Sequence, residues 1–191
     1  MRFRARLFVL VAAVVASAPS THAATLVERT LAFVNKKPVL LSDVELTRAL
    51  LKLEEKEAIE RAIDEVLMFE EATRLVTETL PEEAVAKAVV SLREKAGPGF
   101  TDAALRRKAV AQLAISSYID LRLRPQVRVE DEAVRRAFND RVARDPETPL
   151  FNLVADAIRE SLESRALDEK IEEWIAALRR REEIRRVAPR P

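Results

Sequence analysis

The chain has 191 residues, with no cysteine, one histidine and two glycines, and its 33 basic residues nearly balance 32 acidic ones. Disulfide staples, His/Cys zinc sites, haem ligation in its usual forms and Ser-His-Asp or Cys-His catalysis therefore lack their residues. Gly97 and Gly99 share one loop, so a P-loop and a dinucleotide fingerprint are absent.

The first 23 residues read as a secretory signal. Arg2, Arg4 and Arg6 form a positive n-region, Leu7 to Ala16 an uncharged apolar run, and Thr21-His22-Ala23 a cleavage site with small residues at its first and last positions. The run is shorter than the roughly 20 residues that span a bilayer, so cleavage is the favoured reading and uncleaved retention in the inner membrane the alternative. No cysteine follows the run, which excludes a bacterial lipoprotein. Removing 23 of 191 residues leaves 168, without His, and the loss of three arginines leaves 30 basic residues against 32 acidic, a net charge of −2. Such a product has no basic field to concentrate nucleic acid or anionic lipid.

Val27 to Arg48 organises the rest of the chain. Leu31 to Val34 and Val39 to Leu41 are apolar runs around Asn35-Lys36-Lys37-Pro38, which predicts a β-hairpin. Ser42 and Glu45 have the spacing of a capping box for a helix over about residues 43–53. After a polar joint at Glu54 to Glu57, a second helix is predicted over about 58–76, with Ile59, Ile63, Val66 and Leu67 as its stripe and Met68, Phe69 and Leu75 widening it. Pro81 starts a third helix, faced by Val85, Val89 and Leu92 and ended by Gly97-Pro98-Gly99. Thr101 or Asp102 caps a fourth that runs to Leu123, and Pro125 stops it. Glu130-Asp131-Glu132 starts a fifth, striped by Val134, Phe138 and Val142.

Asp145 to Pro149 is the clearest break in the mature chain. Beyond it Thr148 is the expected cap and Pro149 the first position of a last helix over about 150–181, roughly 45–50 Å long. Its stripe runs from Phe151 through Ile158, Leu167 and Trp174 to Leu178. Each large side chain buried along it contributes about 1.5–3 kcal/mol, so this helix needs several partners and decides whether the domain closes. Ile184 to Val187 is β-like and is expected to add a third strand to the hairpin, since a two-stranded hairpin alone is marginal. The fold class is therefore mainly α, a helical core with a small N-terminal hairpin joined by a C-terminal strand.

In three places the chain resembles the SurA-type periplasmic chaperone family. The first is the opening pattern Ala32, Val34, Asn35, Leu40, Ser42, Asp43 and Val44, directly after a signal. The second is the helix train containing Ile63-Asp64-Glu65-Val66-Leu67, Pro81 to Val85, Arg122 to Val127 and Val129 to Glu132. The third is the tail Trp174 to Arg179 with Ile184 and Val187. Family members usually carry one or two parvulin-type prolyl isomerase domains of roughly a hundred residues before the last helix; only residues 145–149 stand in that place. The resemblance implies a signal (1–23), a chaperone region (24–144), a short linker (145–149) and a C-terminal helix and strand (150–191) that pack back on the N-terminal part. No isomerase residues can be carried over.

The function expected is an ATP-independent periplasmic holdase that binds unfolded outer-membrane or secreted polypeptides, without isomerase activity. It needs no catalytic residue, metal or cofactor, and a homodimer is compatible with it. Binding is expected through apolar contact and strand-like main-chain pairing. Met68, Phe69, Tyr118 and Phe138 are the candidate peptide-binding residues, because methionine and aromatics adapt to varied partners; the plainer reading makes them core. Two alternatives stay open: an exported helical assembly protein with one dedicated partner, and a prolyl isomerase. The basic run Arg179 to Arg186 reads as a solvated face at a helix C-terminus, the pairs Glu54-Glu55 and Glu82-Glu83 point in different directions on a helix, and Trp174 reads as a packing anchor.

Overall fold

A computed structural model of the chain describes residues 28–75, 80–145 and 147–187. The expected signal, residues 1–23, and Val76 at the expected end of the second helix lie outside the described residues. Strands β1 (Thr30–Val34) and β2 (Lys37–Leu40) form the hairpin. Helices α1 (Leu41–Leu51), α2 (Glu55–Leu75), α3 (Glu82–Ala96) and α4 (Asp102–Tyr118) follow. A π-helical turn (Ile119–Leu123) and a 3-10 turn (Arg124–Gln126) lead to α5 (Asp131–Arg144), the long α6 (Phe151–Arg181) and β3 (Ile184–Arg186). The protein is thus mainly helical, with a small antiparallel sheet built from its two ends.

The sheet order is β2-β1-β3, so the C-terminal strand pairs with the central strand of the hairpin. The turn has no glycine; Asn35 takes the positive φ of 53° instead, a conformation asparagine tolerates better than most residues. Asn35 also ties the ends together. Its backbone N–H donates to Glu183 O at 2.7 Å, its side-chain amide donates to Glu182 at 2.8 Å and Glu70 at 3.1 Å, and its Oδ1 accepts from Glu183 N at 3.1 Å. Alternation along β1 buries Ala32 and Val34 completely, while Phe33 on the other face lies under the Arg185 guanidinium, 4.6 Å from its ring centre.

Three apolar clusters fill the body of the fold. The sheet packs through Ala32, Val34 and Val39 on Ile63 and Leu67 of α2 and Leu178 of α6. A second cluster joins Leu46 of α1, Val85 and Leu92 of α3, and Leu105 and Ala109 of α4. A third joins Ala72, Ala114, Tyr118, Leu123 and Leu167. Trp174 touches the first and third and stacks on Tyr118, with ring centres 4.5 Å apart and planes 12° from parallel. The tail is also fixed by charge: Arg179 bonds Asp64 at 2.5 Å and Glu60 at 2.9 Å, Arg181 bonds Glu71 at 2.7 Å, and Arg186 bonds Glu60 at 2.7 Å. The basic run therefore spends much of its charge on the acidic face of α2.

Three helix ends differ from the spacing rules. Helix α1 starts at Leu41, before Ser42, and no side chain caps it from the expected position. Glu28, 14 residues upstream, supplies the acceptor: its carboxylate takes the Ser42 N–H at 3.2 Å and the Ser42 hydroxyl at 2.8 Å. Glu45 turns away to Arg48, so the predicted capping box does not form. At the other end, α6 begins at Phe151 with Leu150 in the cap position, while Thr148 donates its hydroxyl to Asp145 O at 2.6 Å within the loop. The regular α4 stops at Tyr118, and the π turn carries the chain on to Leu123. Thr101 does cap α4, accepting from Ala104 N at 3.2 Å.

Helix α5 packs chiefly against the first half of α6. Val134 and Ile158 are buried there, Phe138 meets Phe151 edge-on at 5.2 Å, and Arg159 bonds Asp131 at 2.7 Å and Val129 O at 3.1 Å. At the tip of this pair Leu150 and Leu153 are 72% and 71% exposed.

Candidate functional site

Helices α2 and α4 pack side by side, and β2 with α1 closes one side, which leaves a cavity of about 570 Å³ open to the surface. Its walls are apolar: Pro38, Val39 and Leu40 from β2, Ala62, Val66 and Phe69 from α2, and Ala103, Val110 and Ala111 from α4. Small alanines along α2 and α4 provide the room; the neighbouring bulky side chains point into the clusters.

Among the groove's lining residues are the two charged groups Lys108 and Glu65, which pair with each other. Lys108 is buried, donates to Thr47 Oγ1 at 2.8 Å and is in direct contact with a carboxylate oxygen of Glu65. Burial pushes the Glu65 carboxyl above its ordinary value, and the Lys108 charge opposes that rise. Two further cations of the wall, Arg107 and Arg106, are also matched. Arg107 bonds Asp43 at 2.8 Å and the Ser42 hydroxyl at 3.0 Å, and Arg106 makes two 2.6 Å bonds to Glu82. Those bonds hold the Glu82 carboxyl below the usual carboxylate range. Lys37 and Glu70, of opposite sign, complete the lining. With three of its four cations paired, the groove suits an uncharged apolar ligand.

The edge of the sheet at this groove is blunted. The backbone bonds from Asn35 N to Glu183 O and from Val187 N to Leu31 O turn residues 31 and 33 of β1, and Asn35 just beyond it, toward β3. Pro38, the partner of Phe33, therefore faces its backbone nitrogen away from β1, along the free edge of β2. Proline has no N–H to offer there, so addition of a further strand loses a donor at that position.

The four candidate peptide-binding residues fall in different places. Phe69 lines the groove. Met68, its neighbour on α2, packs against the sheet-side cluster. Tyr118 is 8% exposed and stacked on Trp174. Phe138 is half-buried in the α5–α6 pair against Phe151. Phe69 and Tyr118 share the third cluster, while Met68 and Phe138 lie in other surroundings. Spacing alone found Phe69 and missed the groove's polar residues, although one signal was present: Lys108 follows Leu105 by three, Glu65 follows Ala62 by three, and Thr47 follows Val44 by three. Each is a polar residue on a helical apolar stripe. Glu82 and Glu83 are separate, bonded to Arg106 and Lys87. Among the described residues no group of three or more His, Cys, Asp or Glu is placed to hold a metal ion, and no helix is long and apolar enough to cross a membrane.

No family model matches the chain, and no curated protein does either.

Proposed function

We propose that the protein is an exported holdase: an ATP-independent periplasmic chaperone of the SurA type, lacking isomerase domains, that shields apolar segments of unfolded outer-membrane or secreted polypeptides. The observation that carries this reading is the open groove between β2, α1, α2 and α4, apolar on its walls and with Arg106, Arg107 and Lys108 each paired to a carboxylate. A groove of this kind does its work by covering surface that would otherwise aggregate. The resemblance in the opening pattern, the helix train and the tail supports the same reading. Contact is by side chains on the walls; pairing along the β2 edge is disfavoured at Pro38.

The test is light scattering of a denatured outer-membrane porin diluted with and without the protein. Suppressed aggregation at molar excess is expected, and Val66→Asp, which places a charge on the groove wall, is expected to abolish it, with a far-UV circular dichroism spectrum checking that the helices are kept. Aggregation unchanged by the wild-type protein counts against the reading.

A second reading, a scaffold with one dedicated protein partner, is favoured by the exposed Leu150 and Leu153 at the α5–α6 tip. It expects capture of one stoichiometric partner, lost in Leu150→Ser/Leu153→Ser, and no affinity for generic unfolded chains.

A further inference from the structure

The groove carries more polar chemistry than a simple apolar trough needs. Lys108 has three N–H donors, of which Thr47 Oγ1 and one oxygen of Glu65 take two. Among the described residues the third donor and the other oxygen, Glu65 Oε1, have no protein hydrogen-bond partner. Both residues line the groove, and their direct contact sets a spare donor and a spare acceptor close together.

We infer that Lys108 and Glu65 read the main chain of the bound segment, so that the groove selects extended, uncharged polypeptide over other apolar ligands. This rests on the holdase reading above and names what that site recognises. A residue in an extended segment presents its N–H and its C=O on the same edge, as it does to a neighbouring strand. The C=O can accept from Lys108 Nζ while the N–H donates to Glu65 Oε1. Flanking side chains then contact Val39, Val66 and Val110 on the walls. An acyl chain or an aromatic hydrocarbon that covered the pair would strip water from it and return no hydrogen bond, which costs free energy at every uncompensated polar atom. A charged segment gains little, because Arg106, Arg107 and Lys108 already have carboxylate partners. The pair therefore supplies along the groove wall the main-chain recognition that Pro38 denies to the edge of β2.

The experiment titrates the wild-type protein with three probes: a blocked, uncharged, apolar eight-residue peptide; the same peptide N-methylated at alternate residues; and N-phenyl-1-naphthylamine, an apolar probe without a peptide group. The unmodified peptide is expected to bind about tenfold more tightly than the methylated one, as the loss of a hydrogen bond to a charged group implies. In Glu65→Met/Lys108→Met, which removes both the acceptor and the donor, that preference is expected to disappear while the naphthylamine binds as well or better. Equal affinity of the two peptides for the wild-type protein overturns the main-chain readout and leaves the holdase reading standing. Binding of the naphthylamine with neither peptide overturns both. The peptide comparison uses the wild-type protein alone, so it holds even if the double variant does not fold.

Discussion

Residues 30–75 and 80–123, with β3 and the second half of α6, share apolar clusters that join several elements; α5 and the first half of α6 pack chiefly on each other. In the first region three clusters interlock, and Asn35, Arg179 and Arg186 cross between segments more than a hundred residues apart. In the second, Val134, Ile158 and the Phe138–Phe151 pair form a thin seam between two helices. The same residue types appear in both. What differs is how many neighbours share each buried side chain, and hence whether its loss is felt by the whole fold or by one hairpin.

The comparison is broken most directly by removing the tail. Truncation after Leu178 deletes the Arg179 bonds to Glu60 and Asp64 and the whole of β3, and is expected to lower the thermal midpoint by about 10 °C or more. A midpoint unchanged in a calorimetric scan would show that the two ends do not hold each other. Single core truncations sharpen the contrast. Ile63→Ala, at a fully buried position between sheet and helices, is expected to cost about 3–4 kcal/mol in urea unfolding. Val134→Ala is expected to cost about 1–2 kcal/mol, and to speed amide exchange within residues 131–162 while the sheet stays protected.

A smaller effect depends on pH. The folded carboxyl of Glu65 titrates above its unfolded value of about 4.5, since burial disfavours the charge. Between the two values the folded chain holds the proton more tightly, so the contribution of Glu65 to stability falls as pH rises through that window and is flat above it. Glu60 has the opposite sign. Burial acts to raise it, but the bonds from Arg186 and Arg179 outweigh burial and hold it below 4.5; its contribution is present above that value and is lost as pH falls through the folded one. Urea midpoints of Glu65→Gln across pH 3–8 are therefore expected to gain on the wild type as pH rises above 4.5, and those of Glu60→Gln to approach it as pH falls. The smallest effect belongs to the tip: Leu153→Ser, at an exposed position, is expected to stay within about 0.5 kcal/mol of the wild type.

Much of the architecture was legible in the residues, because it depends on periodicity within one segment. The hairpin, the six helices and the closing strand Ile184–Arg186 follow from alternation, helical stripes and proline or glycine stops. Ser42 shows where that logic ends: Ser42 and Glu45 satisfy a local rule, yet Glu28 and Arg107 reach Ser42 through the tertiary fold and take its hydrogen bonds. Candidate site residues chosen for aromatic character went mostly to packing for a related reason. Tyr118 and Phe138 are large enough to anchor packing, and the fold uses them so. The groove is made instead by small side chains that leave space, and by Lys108 and Glu65, whose pairing across two helices no single stripe reveals.

The stack of Trp174 on Tyr118 gives the molecule a built-in optical signal. The chain has one tryptophan and one tyrosine, and the fold sets them face to face from segments more than fifty residues apart. The indole emission therefore reports the seating of the last helix against the first and third clusters, with no second tryptophan to compete. Because that seating joins the two ends of the domain, one emission trace during refolding dates the closure of the sheet-and-helix body.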